Sequence, residues 1–390
     1  MTEMSGCALS STEPDNGSGS EPQPLQPRIA HPDDPNDPDA HVSLSPSMGL
    51  GADVLQNARV ALADNCLQPG ETPTSDAERD LATIYDSLQK TSIGRGLVDG
   101  MKTGLQSLCA HDRMVPPQAA GTFSSQLQIA AIRPAGSDNN FHRRVEFAAH
   151  EIRHANQGQH PELDWIRMRR PHESLAMTAI IEADAAAHML AVSWQREQAG
   201  ETGAWNPKRD PIYTGVATAF EASMERSVAA NGQGAKTNPG AIRKAMGEAF
   251  RAWIDDPQLM TAYTMTLDAN ERYRKGISLP GSPNPTFTPE LQSLPRPERI
   301  IALMGTAAGD ENAEPYLTAA DVRAARDRAH AELDPPAIRN STMDTLLERR
   351  SLASVAPSRT LPHAPRPASL HAQPSVKETP IRPPMPSLRF

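Results

Sequence analysis

The stretch Phe147-Ala-Ala-His150-Glu151-Ile-Arg-His154-Ala-Asn-Gln157 contains the pattern His-Glu-x-x-His. An α-helix turns by about 100° per residue, so residues four positions apart stand one above the other on the same face. His150 and His154 can therefore offer two imidazole nitrogens to one metal ion. Glu151 is turned roughly 100° from His150, so it cannot join this chelate but can reach a water molecule on the metal. The pattern predicts two metal ligands and one general base.

The residues around this pattern describe the helix that would carry it. Residues 137–140 offer side-chain oxygens that can cap a helix start, and helices commonly end at a glycine such as Gly158. One side of the helix, opposite the histidine pair, is apolar. Its residues are Phe141, Val145, Ala148 and Ile152. One side is therefore expected to pack while the other faces something polar, although an exposed helix with a charged face is the alternative.

A second helix is predicted over residues 175–194, which are apolar or small on nearly every side. Such a helix is buried, and its ionisable residues Glu182, Asp184 and His188 then need a partner or a metal. We choose Glu182 as the third metal ligand because the alanines three and four positions later leave room for an ion over that face. Asp184 and His188 lie four residues apart on another face. They are the alternatives for the third ligand, or they pair with each other, or one of them is a hydrogen-bond partner of a metal-bound histidine.

The octapeptide His-Glu-Ile-Arg-His-Ala-Asn-Gln and the later Glu-Ala-Asp-Ala resemble a family of bacterial zincin-type metallopeptidase domains, which share an HE(L/I)RHAxQ helix and an EADA helix. The resemblance covers about residues 119–275. It implies a Zn²⁺ site at His150, His154 and Glu182, with Glu151 as the base. The chain has no Gly-x-x-His or Asp extension after the second histidine. This departure favours a zincin with a glutamate ligand over the metzincin and aspzincin types.

The composition predicts one main folded domain of mainly α class. The chain has 390 residues, yet 37 are proline and only 4% are aromatic, so much of it cannot bury enough apolar surface to fold. We expect a zincin-like helical domain with one or two short strands, flanked by disordered ends. The predicted segments are a disordered acidic arm (1–50), the metallopeptidase domain (51–276), a Pro-rich linker with short helices (277–337) and a disordered Pro- and Arg-rich tail (338–390).

The charge and the cysteines limit the class of partner and the compartment. The formal net charge of −9 is mild and does not favour nucleic-acid binding. Cys7, Cys66 and Cys109 lack the spacing of a metal site or a disulfide framework, which is typical of a reducing compartment. No run of residues is predicted to be long or apolar enough to span a membrane, and the N-terminus lacks the pattern of a cleaved secretory signal. We therefore expect a protein without membrane contact, either cytoplasmic or exported without a cleaved signal peptide.

Several further elements can be placed from the pattern of apolar residues. Ser75 and Glu78 form a capping box, followed by apolar residues at helical spacing. A second helix is predicted from the stripe Leu97, Met101, Leu105 and Leu108. More helices are predicted over residues 211–229, 240–254, 257–273, 300–304 and 318–333.

Residues 122–132 alternate in part and stop at Pro134, so we predict one or two strands there. In zincins a strand beside the metal helix often receives an extended substrate by edge pairing, and the resemblance makes this segment the candidate. A strand that pairs only within its own chain is the equal alternative. Tyr213 and Tyr263 are candidates to donate a hydrogen bond to a transition-state oxyanion, but packing roles are the more common use of such tyrosines.

These observations predict a zinc-dependent metallopeptidase. Zinc would polarise the scissile carbonyl and lower the pKa of its bound water toward about 7, while Glu151 takes the proton of the water and passes it to the leaving amine. The expected substrate is a peptide or protein because the resembled family suggests it. The alternative is a non-catalytic helical interaction or effector protein whose His-Glu-x-x-His pattern is vestigial or accidental.

Overall fold

The computed structural model describes residues 65–333, apart from 105, 113, 116–118, 125–126, 139, 265, 277–289 and 310–313. The predicted arm (1–50) and tail (338–390) lie outside the described residues. The described part is mainly helical with a small sheet, which confirms the predicted fold class. Its strands are β1 (Cys66–Leu67), β2 (Ser107–Ala110), β3 (Gly121–Ser124) and β4 (Ile129–Ile132). Its helices are α1 (Asp76–Gln89), α2 (Ser92–Thr103), α3 (Phe141–Gln157), α4 (Pro171–Gln198), α5 (Thr214–Asn231), α6 (Pro239–Asp255), α7 (Pro257–Tyr263), α8 (Thr266–Arg274), α9 (Pro297–Met304) and α10 (Ala319–Leu333).

The sheet has four strands in the order β1-β2-β4-β3. β2 and β4 are parallel, and the strand pair at each edge is antiparallel. β3 and β4 confirm the strands predicted within residues 122–132. β1 was not predicted because it has only two residues, and β2 was missed because Leu105 and Leu108 continue the helical spacing of Leu97 and Met101. α3 packs against β3 and β4, so the His-Glu-x-x-His helix lies beside this edge of the sheet.

The local signals for α1 and α3 are confirmed. Ser75 accepts a hydrogen bond from the backbone of Glu78 and the reciprocal bond is also present, so the capping box starts α1. Asn140 caps α3 by accepting from the backbone N–H of Arg143 at 3.0 Å, and Gly158 is the residue at its end. The stripe predicted for α2 was too long. That helix ends at Thr103, and the later Leu108 lies on β2 instead.

α4 is the central helix, and it packs against α3, α6 and α10. Its residues are buried on every side from Glu173 to Trp194, as the sequence predicted. By length and composition α4 could cross a membrane, so the expectation that no run reaches this length was wrong. The whole of its most apolar window is nevertheless buried inside the protein, which is the behaviour of a core helix.

A disulfide bond contradicts another expectation from the sequence. Cys66 on β1 and Cys109 on β2 form a disulfide, although the sequence predicted no disulfide framework. The residues are 43 positions apart, and their spacing alone gives no sign of the pairing. They meet because β1 pairs with β2 and places them directly opposite each other. The disulfide therefore joins an edge strand to the interior of the sheet.

The helices near residue 300 pack onto the rest of the described chain. α9 contacts α10, and α10 contacts α4, α6 and α7. Ile300 and Met304 of α9 and Val322, Ala325 and Ala329 of α10 are buried. The predicted limits of the domain remain a prediction, but this segment brings side chains close to the centre described next.

Candidate metal centre

Three side chains that the sequence singled out meet between α3 and α4. His150 and His154 come from consecutive turns of α3, and Glu182 comes from the middle of α4. The Nε2 atoms of the two histidines are 3.0 Å apart. Oε2 of Glu182 is 3.2 Å from Nε2 of His150, and Oε1 of Glu182 is 3.5 Å from Nε2 of His154. All three side chains are at most 1% exposed.

The spacing of these atoms suits a small tetrahedral ion. Ligand atoms held about 2.0–2.2 Å from a zinc ion stand roughly 3.3–3.6 Å apart when the angles are tetrahedral. The separation of 3.0 Å between the two Nε2 atoms and that of 3.5 Å between Oε1 of Glu182 and Nε2 of His154 lie within a few tenths of an ångström of that range. Within the described residues, this is the one group of three or more His, Cys, Asp or Glu side chains close enough to share an ion. The donor set of two imidazoles and one carboxylate is one that zinc commonly takes when a position is left open.

Gln157 determines which nitrogen of His154 faces the cluster. Its amide nitrogen donates to the carbonyl of Ile181 at 3.1 Å and to Oδ2 of Asp184 at 2.5 Å. Its Oε1 therefore faces Nδ1 of His154, at 2.8 Å, and can only accept. Nδ1 must then carry the proton, and in the neutral imidazole Nε2 has a lone pair directed into the cluster. This is the arrangement that metal-bound histidines generally need.

Tyr263 holds the carboxylate of Glu182. Its hydroxyl donates to Oε2 at 2.8 Å, whereas Oε1 is buried without a hydrogen bond from any described residue. One oxygen is thus oriented by the tyrosine and the other is left for a cation. Tyr263 was a candidate oxyanion donor from the sequence, but in the structure its hydroxyl donates to the carboxylate of Glu182. Tyr213, the other candidate, has its ring centroid 6.2 Å from that of His150.

The electrostatics of the cluster show that a cation is favoured between the side chains. Burial opposes charge on His154, but the Glu182 carboxylate outweighs it and raises the pKa of His154 to about 9. Burial also opposes charge on Glu182, but His154 outweighs it and lowers the pKa of Glu182 to about 2. At His150 burial outweighs the Glu182 carboxylate and lowers the pKa, and the charge of His154 alongside lowers it further. The same charges that favour a proton on His154 also favour a metal cation between these side chains.

Glu151 lies at the edge strand of the sheet. Its side chain is fully buried, and neither carboxylate oxygen has a hydrogen-bond partner among the described residues. Burial raises the pKa of Glu151 well above its usual value. Gly121 on β3 makes room for it, because a Cβ atom at that position would stand 2.6 Å from Cγ of Glu151. A buried, unpartnered carboxyl group next to a possible metal site can take and return a proton.

Asp184 and His188, the alternatives for the third ligand, lie outside the cluster. Asp184 accepts from Arg153 at 2.6 and 3.2 Å and from the hydroxyl of Tyr316. Asp184 does not contact His154 directly. The two are connected through Gln157, which contacts both. Nδ1 of His188 lies 2.9 Å from the backbone oxygen of Asp184. Burial and the Arg153 cation lower the pKa of His188 to about 4.

Comparison with known families agrees with this arrangement. Residues 57–297, more than half of the chain, match the model of the family described as "Putative metallopeptidase family (DUF6782)". The chain belongs to this family. No significant match was found among curated proteins or among solved structures. The matched residues of this metallopeptidase family member contain the whole cluster and Glu151, which supports a hydrolytic metal centre.

Sequence reasoning missed several residues of the centre. Gln157 was part of the quoted stretch, and its position three residues after His154 on the same helix face could have suggested the contact. Gly121 and Tyr316 gave no local signal, because each acts on a residue far away in the chain. Tyr316 lies 132 residues from the carboxylate that it contacts.

Proposed function

We propose that this metallopeptidase family member is a zinc-dependent peptidase. The proposal is carried by one observation: two imidazole nitrogens and a carboxylate, all buried, converge at separations that suit a tetrahedral ion. His150, His154 and Glu182 would hold the ion. Asp184 and His188 are used elsewhere, which supports Glu182 as the third ligand. The fourth position would be left to water and substrate.

When bound, zinc would supply a Lewis acid for the scissile carbonyl and lower the pKa of a water molecule toward about 7. Glu151 would accept the proton of that water and return it to the leaving amine. The raised pKa of Glu151 suits this double role, since a carboxylate with a raised pKa is a stronger base and holds the proton until it is returned. Tyr263 would hold Glu182, and Gln157 would hold His154, in the orientation that binding needs.

β3 is the proposed substrate strand. It pairs with β4 on one side, and within the described part of the chain no other strand pairs with its free edge. Gly121 at its start lies against Glu151, so a peptide added along this edge would pass close to the base. An extended peptide can bind such an edge through main-chain hydrogen bonds, which depend little on sequence. We therefore propose an extended segment of peptide or protein as the substrate.

The test is metal content and peptide hydrolysis by the purified full-length protein. We expect one zinc ion per chain, lost in His150→Ala, His154→Ala and Glu182→Ala. Glu151→Gln should keep the metal and lose hydrolysis, because it removes the base but no ligand. His160→Ala, in the loop after α3, is the matched control and should change neither. A protein that binds no zinc after careful reconstitution would refute the proposal.

A second candidate function is favoured by the complete burial of the side chains in and beside the cluster. His150, Glu151 and Glu182 are all fully buried, as in a metal site that only stabilises a fold. The protein would then be a helical interaction or effector protein. In that case zinc would bind and raise thermal stability, but no peptide from a diverse library would be cleaved. Glu151→Gln would then behave like the wild type in every measurement.

We also propose that the protein works in an oxidising compartment. The Cys66–Cys109 disulfide supports this over a cytoplasmic location, since disulfides are rare in reducing compartments. Labelling of free thiols in protein taken directly from the producing cells and from their medium would test it. Free Cys66 and Cys109 at the working location would contradict the proposal.

A further inference from the structure

The segment that starts with α9 reaches the interior next to the metal centre at three points. The hydroxyl of Tyr316 donates to Oδ1 of Asp184. The backbone carbonyl of Met304 accepts from Arg153 at 2.9 Å, and the backbone N–H of Ala308 donates to Nε2 of His188 at 3.2 Å. The family match ends at residue 297, where α9 begins, so all three contacts come from outside it.

A continuous chain of hydrogen bonds leads from one of these contacts to a proposed metal ligand. Tyr316 donates to Asp184, Asp184 accepts from the amide of Gln157 at 2.5 Å, and Oε1 of Gln157 lies 2.8 Å from Nδ1 of His154. Asp184 is fully buried and Tyr316 is 6% exposed, so water does not easily replace any member of the chain. At each hydrogen bond of this chain, the side chain that donates and the one that accepts are determined by the neighbouring hydrogen bond.

The carboxylate of Asp184 is the member of this hydrogen-bond chain whose orientation depends on Tyr316. Its Oδ1 receives Tyr316 and one nitrogen of Arg153, while its Oδ2 receives Gln157 and the other nitrogen. Without the tyrosine hydroxyl, Oδ1 keeps one nitrogen of Arg153, at 3.2 Å, and Nδ1 of His188, at 3.5 Å. The carboxylate can then rotate away from Gln157, whose amide keeps only the carbonyl of Ile181, at 3.1 Å, to hold its Oε1 toward His154.

We infer that Tyr316 is a positioning residue for the metal ligand His154 and acts through Asp184 and Gln157. The inference rests on the proposed function, because it assumes that His154 binds metal. It assigns a role in the centre to a segment beyond the family match. The role is to keep Nε2 of His154 directed into the cluster, so its loss weakens metal binding without removing a ligand. Outer partners of this kind commonly change metal affinity by about 10–100-fold.

The experiment measures the zinc affinity of the full chain by competition with a chromophoric chelator. Tyr316→Phe removes only the hydroxyl and should weaken zinc binding by about tenfold, the lower end of the usual range, because the tyrosine is two links from the ligand. Tyr85→Phe is the matched control. Tyr85 is similarly buried, and its hydroxyl contacts the carbonyl of Leu67 at 3.0 Å and the sulfur of Met101 at 3.9 Å, but it belongs to α1. Its loss should leave zinc affinity unchanged.

A double-mutant cycle separates positioning from a general effect on the fold. Gln157→Leu removes the link between Asp184 and His154, so adding Tyr316→Phe to it should weaken zinc binding no further. The absorption spectrum of bound Co²⁺ should change in Tyr316→Phe and in Gln157→Leu, but not in Tyr85→Phe. Thermal unfolding of the metal-free proteins provides the reference for losses of stability alone.

The outcomes distinguish the inference from the proposed function. If the wild type shows no zinc binding that depends on His154, both are refuted. If the wild type binds zinc and Tyr316→Phe equals Tyr85→Phe, the inference is wrong and the proposed function stands. The inference is also wrong if Tyr316→Phe weakens zinc binding as strongly in the Gln157→Leu protein as in the wild type.

Discussion

Zinc binding to this centre should release one proton, and His154 is its source. In the metal-free protein the pKa of His154 is raised to about 9, chiefly by Glu182 against the opposing effect of burial. The perturbation is the addition of Zn²⁺ to metal-free protein at pH 6.0. We use Glu151→Gln for it, because the buried Glu151 has a raised pKa and would titrate as well. At this pH a water molecule with a pKa near 7 also keeps its proton.

The number of protons released on zinc binding follows from the shifted pKa values of His154 and Glu182. At pH 6.0 a group with a pKa of about 9 is protonated by roughly 1,000 to 1, so His154 must lose about one proton to bind zinc. Glu182, with its pKa lowered to about 2, is already ionised and releases none. The competing proton is lost as the pH rises toward 9. The apparent zinc affinity should therefore rise about tenfold between pH 6 and pH 7, and more steeply above pH 7, where the bound water also loses its proton.

Isothermal titration calorimetry in buffers of different ionisation enthalpy measures this number directly. The observed binding enthalpy, plotted against the ionisation enthalpy of the buffer, should have a slope of about one proton. His160→Ala in the same Glu151→Gln background is the control and should give the same slope. A slope near zero would mean that His154 is neutral before zinc binds, and a slope near two would mean that another ligand is protonated. Either result would refute the electrostatic account of the cluster.

Three further changes have expected outcomes. Gly121→Ala places a Cβ atom 2.6 Å from Cγ of Glu151, so it should destabilise the protein by about 1–3 kcal/mol and lower kcat while zinc remains bound. Reduction of the Cys66–Cys109 disulfide frees a loop spanning 43 positions and should lower the free energy of unfolding in urea by about 4 kcal/mol. Tyr263→Phe removes the donor to the carboxylate ligand and should weaken zinc binding by about 10-fold or more in a chelator competition assay.

Each of these changes has a control or a contrary result. Gly136→Ala adds a Cβ atom in open space and should leave activity unchanged, so an equal loss of kcat in both glycine variants would contradict the role given to Gly121. Equal unfolding curves with and without reductant would show that the disulfide does not stabilise the fold. Tyr85→Phe is the control for Tyr263→Phe, and equal zinc affinities in these two variants would contradict the contact with the carboxylate.

Local features of the fold could be read from the sequence because they depend on residues close together in the chain. The capping box of Ser75 and Glu78, a helix cap within residues 137–140 and the burial of the helix over residues 175–194 were all predicted. The pairing of His150 with His154 belongs to the same class, since helix geometry alone places residues four apart on one face. The short strands β1 and β2 and the end of α2 were not predicted, because β1 has only two residues and the helical spacing of α2 continues into β2.

The sequence by itself therefore determined the helices and the two histidines, and it reduced the third member of the cluster to Glu182, Asp184 or His188. Only the tertiary structure decided among these, and the reason is geometric. Glu182 and Asp184 are two residues apart, so a rotation of about 200° around the axis of α4 separates their side chains, which lie on nearly opposite faces. Which of them faces the histidines depends on how α3 and α4 pack together, and the packing brings Glu182 to the pair. Contacts that join distant parts of the chain, such as Tyr316 with Asp184 or Cys66 with Cys109, exist only once the chain has folded.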